Sequence, residues 1–197
     1  MKNNTTIHQL LDEGNGTLMA SVATKAGLHR RYLAGMVKTG VLERAGRGVY
    51  IAAGGIDDGL FSLQQKAQKI VWSHGTALFL HGMTDRTPFR YTITVPSPYK
   101  PSVAIKALCD VFYIKEELIS LGTCEMPSGM GHTITTYDLE RTLCDIVRSR
   151  NKLDPQIFIE TLKRYTMRKD KDLNRLASYA KIFEVSRIMH QYLEVLL

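Results

Sequence analysis

Residues 41–51, Val-Leu-Glu-Arg-Ala-Gly-Arg-Gly-Val-Tyr-Ile, contain two β-prone runs separated by a short segment of small residues and arginine. This pattern predicts a β-hairpin with a cationic tip. The residues before it show helical periodicity, so the hairpin has the position of the wing in a winged helix-turn-helix.

Three short helices are predicted ahead of the hairpin. The first covers residues 5–13, with Thr5 or Thr6 as its cap. The second follows the turn at residues 14–16 and ends before Gly27. Its apolar stripe consists of Leu18, Val22, Ala23 and Ala26.

A third helix, over residues 29–39, has an inward apolar face formed by Leu33, Met36 and Val37. The opposite face presents two cations and a glycine at positions i, i+4 and i+7. These are Arg31, Gly35 and Lys38. This is the face that a recognition helix turns to the major groove. A glycine inside a helix lowers the stability of that helix. We consider three explanations for Gly35: close approach to DNA, close approach to the second helix, and neutral drift of the sequence.

Six cations are candidate DNA contacts: Lys25, Arg30, Arg31, Lys38, Arg44 and Arg47. Arg30 and Arg31 have the forked guanidinium that pairs with guanine or clamps a phosphate. The others are assigned to phosphates. The alternatives are a helical domain with a solvated basic face and a winged helix used for protein contacts.

The whole chain is basic. Its 197 residues include 26 Lys and Arg against 19 Asp and Glu, a formal net charge of +7, which favours polyanionic partners. No apolar segment approaches the roughly 20 residues that span a bilayer, so we expect a cytoplasmic protein without membrane contact. Its three cysteines, Cys109, Cys124 and Cys144, lack a metal or disulfide spacing and are predicted to be reduced thiols.

The Gly-rich stretch at residues 52–59 predicts a domain boundary. We expect a winged helix-turn-helix over residues 1–53 and a larger α+β domain over residues 56–197, with a small mixed or antiparallel sheet and a helical C-terminal third. Helices are predicted over residues 60–73, 74–82, 172–183 and 185–197. A further helix is capped by Asp138 and holds Leu139, Leu143, Ile146 and Val147, and another starts at Asp154-Pro155 with Asp154 as its cap. The predicted strands cover residues 90–95, 110–114, 122–126 and 132–137.

The second half contains no known catalytic or phosphate-binding motif, so we expect no enzyme activity, no catalytic residue, no cofactor and no metal. The acidic pair in Asp170-Lys171-Asp172 is interpreted as a helix start. For His74 and His81, polar packing at helix ends is favoured over a metal or general-base role.

A second basic region lies between residues 141 and 187, with twelve Lys and Arg against six Asp and Glu. Charged side chains on solvent-exposed helix faces account for part of this excess of positive charge. The functional alternative is a second basic patch that extends the DNA footprint or contacts RNA. Its members are Lys163, Arg164, Arg168, Lys169 and Lys171.

Four segments together resemble the AbiEi family, the antitoxins of type IV toxin–antitoxin or abortive infection systems, which act in phage defence. The first is Leu42-Glu43-Arg44-Ala45-Gly46-Arg47-Gly48-Val49-Tyr50, and the second contains Ser73-His74-Gly75-Thr76-Ala77-Leu78. The third is Thr92-Ile93-Thr94-Val95-Pro96, and the fourth is Tyr137-Asp138-Leu139-Glu140-Arg141-Thr142-Leu143-Cys144-Asp145. The resemblance extends over nearly the whole chain.

The resemblance implies a bacterial protein with two tasks. Its winged helix represses its own operon by binding inverted repeats in double-stranded operator DNA, with two protomers on DNA and a monomer in solution. Its C-terminal domain counteracts an AbiEii-like nucleotidyltransferase toxin without a stable complex. Two alternatives stay open: an effector-sensing regulator with a pocket around Trp72, Phe79 and Phe112, and an enzyme-type antitoxin acting on the toxin or its target.

Overall fold

The computed structural model describes residues 2–196, which form an α+β fold with about half of the residues in helices and two small sheets. The chain divides into an N-terminal unit, residues 2–68 with Pro127–Ile134, and a C-terminal unit, Lys69–Met126 with residues 135–196. The predicted division into residues 1–53 and 56–197 stays a prediction. Its end residues, Met1 and Leu197, lie outside the described residues.

The N-terminal unit has four helices and three strands. In chain order they are α1 (Lys2–Glu13), β1 (Thr17–Met19), α2 (Ala20–Lys25), α3 (Arg30–Lys38), β2 (Leu42–Gly46), β3 (Val49–Ala52) and α4 (Gly59–Lys66). The strands form one antiparallel sheet in the order β1-β3-β2, with Leu18 opposite Tyr50. Under this sheet lies a core of fully buried side chains that includes Ile7, Ala23 and Leu33.

Two helix predictions at the start of the chain need correction. The first helix begins at Lys2, so neither Thr5 nor Thr6 is its cap. The predicted second helix is shorter, because Leu18 lies in β1 and α2 starts at Ala20. The apolar residues of this segment are spaced as in a helix. Residues 17–19 nevertheless pair with β3, because the strand gains backbone hydrogen bonds whereas so short a helix is only marginally stable.

Helix α4 is also shorter than the predicted helix over residues 60–73. It ends at Lys66, and Val71–Trp72 form a strand instead, because this segment pairs with neighbours on both sides in the second sheet. Asp58 begins α4 by accepting a hydrogen bond from Phe61 N at 3.2 Å. The last residues of the predicted linker are therefore part of a folded helix cap.

The remaining elements are a five-stranded sheet, six α-helices and two short 3-10 helices at Glu116–Leu118 and Arg150–Lys152. The strands and α-helices follow in chain order. They are β4 (Val71–Trp72), α5 (His74–Leu80), β5 (Tyr91–Pro96), α6 (Val103–Leu108), β6 (Cys109–Ile114), β7 (Thr123–Pro127), β8 (Thr133–Tyr137), α7 (Leu139–Arg148), α8 (Pro155–Met167), α9 (Leu173–Ile182) and α10 (Ser186–Leu196). The strand order is β6-β5-β4-β8-β7. Both antiparallel and parallel pairs occur, so the sheet is mixed.

Local signals predicted most of these elements. The four later strands lie within one or two residues of their predicted positions. Asp138, Asp154 and Asp172 each cap a helix by accepting a backbone N–H, at 2.7, 2.8 and 2.9 Å respectively. Helix α6 was not predicted; its cap is Ser102, whose hydroxyl accepts from Ile105 N at 3.4 Å. Asp172 at the start of α9 agrees with the helix-start interpretation of the acidic pair.

An arginine is one of the largest fully buried side chains of the C-terminal unit. Arg141 Nε donates to Asp145 Oδ2 at 3.1 Å, one turn further along α7. Its guanidinium carbon lies 4.0 Å from the ring centre of Tyr137 and 4.1 Å from that of Phe183. Gly122 leaves room for it, since a Cβ there would lie 2.7 Å from Arg141 Cβ. The pair of Arg141 and Asp145, one turn apart on α7, is therefore buried.

Candidate nucleic-acid interface

Helix α3 turns one face into the core of the N-terminal unit and the other to solvent. Leu33 and Met36 are buried, at 0% and 5% exposure, and Val37 is half-buried. The helix ends where Gly40 takes a positive φ of 71°, which lets the chain turn into β2. Because these apolar side chains are buried, the opposite face of α3 points outward.

The outward face of α3 consists of the predicted residues. Arg31, Gly35 and Lys38 are all exposed, and Arg30 is exposed at the first helical position. Lys25 is exposed in the last turn of α2. Because the outward residues recur at i, i+4 and i+7, they share one side of the helix.

The β2–β3 hairpin ends in a turn at Arg47-Gly48, where Gly48 has a φ of 76°. The pairing shifts register between Glu43 and Gly46, which is a bulge next to the tip. Arg47 is exposed at the tip, and the exposed Arg44 donates from Nε to Gly46 O at 3.1 Å. The hairpin therefore presents two arginines to solvent.

Gly35 is not explained by packing against a neighbouring helix. A Cβ built at this position has no heavy atom within 4 Å, apart from the backbone of its own helix. The interpretation that Gly35 allows close approach of α2 is therefore wrong. Close approach to DNA and tolerated drift remain as the two explanations.

A seventh cation, Lys66, lies against the hairpin and was not predicted. A Cβ at Gly46 would lie 2.3 Å from Lys66 Cε and 3.2 Å from its Nζ. Lys66 is exposed and comes from the last turn of α4, on the far side of the Gly-rich stretch. No local sequence signal places it beside the hairpin, since only the fold of α4 brings it there.

The six predicted cations share one electrostatic property: within the described residues, none forms an ion pair with a carboxylate. Glu43, the acid next to Arg44 in β2, accepts a hydrogen bond from Gly54 N at 3.0 Å and forms no ion pair with these cations. Unpaired, exposed cations keep their full charge for a polyanion.

The second basic patch differs, because much of its charge is already compensated. Arg164 bonds to Asp85 at 2.6 Å and to Glu160 at 2.9 Å, and Arg168 bonds to Asp170 at 2.7 Å. Lys171 Nζ donates to the carbonyl oxygen of Arg168. Lys163 and Lys169 are exposed and have no ion-pair partner in the part of the chain that is described.

The two histidines singled out from the sequence are hydrogen-bonded. His81 Nε2 lies 2.8 Å from Tyr137 O, and both ring nitrogens of His74 contact serine hydroxyls. Across residues 2–196, no three His, Cys, Asp or Glu side chains come together as a set of metal ligands. Cys109 and Cys144 are buried, Cys124 is half-buried, and all three are free thiols.

The chain is similar to one protein family and to solved structures. Residues 18–53 match the family described as "Transcriptional regulator, AbiEi antitoxin", so the resemblance is confirmed over this stretch, which contains all six predicted cations. The RV2827C protein from Mycobacterium tuberculosis has a similar fold, with a TM-score of 0.60, 15% identity, and coverage of 89% of this chain and 70% of that chain. No curated protein matches. Of the helices described, none combines the length and the apolar character needed to cross a bilayer.

Proposed function

We propose that the N-terminal unit is a winged helix-turn-helix that binds double-stranded DNA, and that the chain is an antitoxin that represses its own operon. The observation behind this proposal is the set of exposed, unpaired cations on α2, α3 and the β2–β3 hairpin. They fall within the stretch that matches the AbiEi antitoxin regulators.

The order of elements supports the winged-helix assignment. Helices α2 and α3 follow each other across a turn at Gly27, and the hairpin that follows α3 pairs with β1 in a three-stranded sheet. In a helix-turn-helix the second helix enters the major groove. Here that helix is α3, with Arg30 and Arg31 in its first turn, where base edges are contacted. The hairpin is then the wing, and Arg44, Arg47 and Lys66 contact phosphates.

The family match over residues 18–53 supports the biological role in this proposal. In this proposal two protomers of a protein that is monomeric in solution occupy an inverted repeat, with half-sites about one helical turn or a multiple of it apart. The C-terminal unit counteracts a nucleotidyltransferase-like toxin of the AbiEii type in the bacterial cytoplasm, without a stable complex. The protein acts by binding, with no catalytic step of its own.

The test is fluorescence anisotropy on a duplex from the promoter upstream of the gene, over a range of salt concentrations. The full-length protein is compared with Arg31→Ala plus Arg47→Ala. A matched control, Lys163→Ala plus Lys169→Ala, removes the same charge from exposed positions of the C-terminal unit. We expect the first variant to lose at least about tenfold in affinity and its salt slope to fall by about 1.8, since each phosphate contact contributes about 0.9. The affinity and the salt slope of the control variant should each stay within about twofold of the wild-type values.

A flat salt response of the wild type, or equal affinities of the wild type and the Arg31/Arg47 variant, would contradict DNA binding by this surface. A loss confined to the Lys163/Lys169 variant would assign DNA binding to the second basic patch.

The antitoxin part is tested separately by growth rescue of cells that express the toxin gene adjacent to this one. Because the two tasks are separable in the proposal, the Arg31/Arg47 variant should still rescue growth while failing to repress the operon. If neither the wild type nor the variant rescues growth, the antitoxin assignment fails while the DNA-binding result stands.

A further inference from the structure

The C-terminal unit contains a cleft of about 800 Å³ that the proposed function does not use. Its walls come from β5, β6, the start of α5 and the C-terminal end of α7, and they include His74, Thr92, Phe112 and Ser149. The volume falls within the range of roughly 300–1,000 Å³ that is typical of small-molecule sites. The pocket predicted around Trp72, Phe79 and Phe112 is corrected by this arrangement: only Phe112 lines the cleft, whereas Trp72 is fully buried and Phe79 lies elsewhere.

The lining of the cleft has an excess of positive charge. Lys106, Arg148 and Lys152 line it, together with two carboxylates, Asp110 and Asp145. Both carboxylates are engaged by arginines outside the lining. Arg90 Nε bonds to Asp110 at 2.8 Å, and Arg141 Nε bonds to Asp145 at 3.1 Å.

The three lining cations are left largely uncompensated. Lys106 and Lys152 are exposed and have no ion-pair partner among the described residues. Arg148 is 37% exposed and reaches Asp145 at only 3.5 Å, on a carboxylate already bonded to Arg141. A bound anion would therefore compensate charge that the protein itself does not.

The inner wall of the cleft contains His74, which contacts an aromatic ring and two serine hydroxyls. His74 is buried and has a positive φ of 45°, and its ring lies 3.5 Å from that of Phe112 in a stacked arrangement. Its Nδ1 and Nε2 each lie 3.0 Å from a serine hydroxyl, of Ser73 and Ser149 respectively. A non-glycine residue in the left-handed region persists where its surroundings hold it firmly, which is common at ligand sites.

The pKa of His74, on the inner wall, agrees with the excess of positive charge in the cleft. Burial first, and then the cations Arg148, Arg141 and Lys152, lower the pKa of His74 to about 3. Two of these three cations line the cleft, so the ring experiences the positive potential of the cleft and stays neutral at neutral pH.

We propose that this cleft binds the phosphate groups of a small phosphorylated molecule between Lys106, Arg148 and Lys152. A single carboxylate brings one negative charge, whereas one phosphate monoester brings about 1.5 to 2 and a diphosphate brings more. Three cations, of which only Arg148 has a carboxylate partner, match the larger charge. Lysine contributes as a point charge and arginine as a fork, and both are common phosphate ligands in proteins.

The test is isothermal titration calorimetry of the full-length protein with inorganic pyrophosphate, ATP and adenosine, in buffer without metal ions. We expect pyrophosphate or ATP to bind with a Kd below about 1 mM and adenosine not to bind. ATP binding at least tenfold tighter than pyrophosphate would identify a nucleotide as the source of the phosphates. Equal binding would identify the phosphate groups alone.

Two double variants with the same loss of charge locate the site. Lys106→Ala plus Lys152→Ala should weaken binding by at least about tenfold, whereas Lys163→Ala plus Lys169→Ala should change it by less than about twofold. All four lysines are exposed, so both variants should fold, which thermal melts check. No binding of pyrophosphate or ATP up to about 1 mM would overturn the proposal. Equal weakening by the two variants would also overturn it, since this would show general attraction to a basic protein.

Discussion

His132 Nδ1 lies 2.7 Å from Asp58 Oδ2, although the two residues are separated by 74 positions in the chain. Both side chains are nearly inaccessible, with exposures of 7% and 5%. On the other side of the ring, His132 Nε2 lies 3.0 Å from Gly14 O, and Phe61 stacks against the ring at 4.4 Å. The Ser128 hydroxyl also donates to Asp58. This network fastens the segment Pro127–Ile134 to the rest of the N-terminal unit.

We expect Asp58→Asn to lower the free energy of unfolding by about 3 kcal/mol. Asparagine still caps α4 through its side-chain oxygen, but its amide nitrogen cannot replace the Oδ2 atom that the Ser128 hydroxyl and His132 Nδ1 both contact, and a buried polar group left without a partner typically costs about 1–3 kcal/mol. Urea unfolding measures the change. The matched control is Asp57→Asn at the exposed neighbouring position, for which we expect less than about 1 kcal/mol. Similar losses in both variants would show that the buried pair contributes nothing of its own.

Arg141→Lys should destabilise the C-terminal unit by about 3–5 kcal/mol. Besides Asp145, the guanidinium donates from Nη1 to Leu121 O at 2.7 Å and to Leu118 O at 3.1 Å, which a single ammonium cannot reproduce. The control is Arg175→Lys, whose side chain is 50% exposed, with an expected change below about 1 kcal/mol. Tolerance of Arg141→Lys in a urea titration would contradict the anchoring role of the guanidinium.

Gly35→Ala should stabilise α3 by about 0.5–1 kcal/mol, because alanine is the better helix former and its Cβ enters open space. Gly40→Ala is the opposite case. Its Cβ also meets nothing within 4 Å, but the φ of 71° is unfavourable for alanine, so we expect a loss of about 1 kcal/mol or more. Thermal melts measure both. A lower melting temperature for Gly35→Ala would mean that the outward face of α3 is not open. The DNA affinity of Gly35→Ala in the promoter assay separates the two remaining explanations of Gly35. Weaker binding would indicate close approach to DNA, and unchanged binding would indicate tolerated drift.

His74 should make the protein less stable as the pH falls below about 6.5. The pKa of His74 is lowered to about 3 in the folded protein, against about 6.5 in an unfolded chain. Above pH 6.5 the ring is neutral in both states and contributes no pH dependence. As the pH falls from about 6.5 toward 3, the unfolded chain binds a proton that the folded protein does not, so each pH unit costs up to about 1.4 kcal/mol.

The His74→Asn variant isolates this effect, because asparagine tolerates the positive φ but does not titrate. At pH 7.5 the variant should be the less stable protein, since it loses the stacking on Phe112. By pH 5.0 the difference between the two proteins should have shifted by about 2 kcal/mol in favour of the variant. Urea titrations at the two pH values measure this. A difference that does not change with pH would contradict the shifted pKa.

Elements with local signals could be predicted from the sequence. The hairpin was found from β-prone runs around Gly48, and its turn needs the positive φ that glycine provides. Helix caps at Asp138, Asp154 and Asp172 were found because a cap depends on residues within one turn. The outward cations of α3 were found because helical spacing relative to Leu33 decides which side faces water.

Elements that depend on a distant partner could not be predicted. Residues 17–19 have the spacing of a helix and became a strand because β3 was available to pair with them. The helix predicted up to residue 73 ends early because Val71 pairs with Thr94. Lys66 reaches the hairpin, and His74 reaches Phe112, only through contacts between separate elements. In each case the local preference is worth less than the hydrogen bonds or packing that the partner supplies.

The sequence by itself determined the basic hairpin, the exposed cations of α3 and the helices of the C-terminal third, because periodicity, capping and turn chemistry act within a few residues. Only the tertiary structure decided which cations have a carboxylate partner and which do not. It pairs Arg164 and Arg168 with carboxylates while leaving the cations of α3 and the hairpin unpaired. It also turns Asp58, at the end of a stretch with the composition of a linker, into a buried partner of His132. Charge compensation depends on which side chains meet in space, and residues far apart in the chain meet only when it folds.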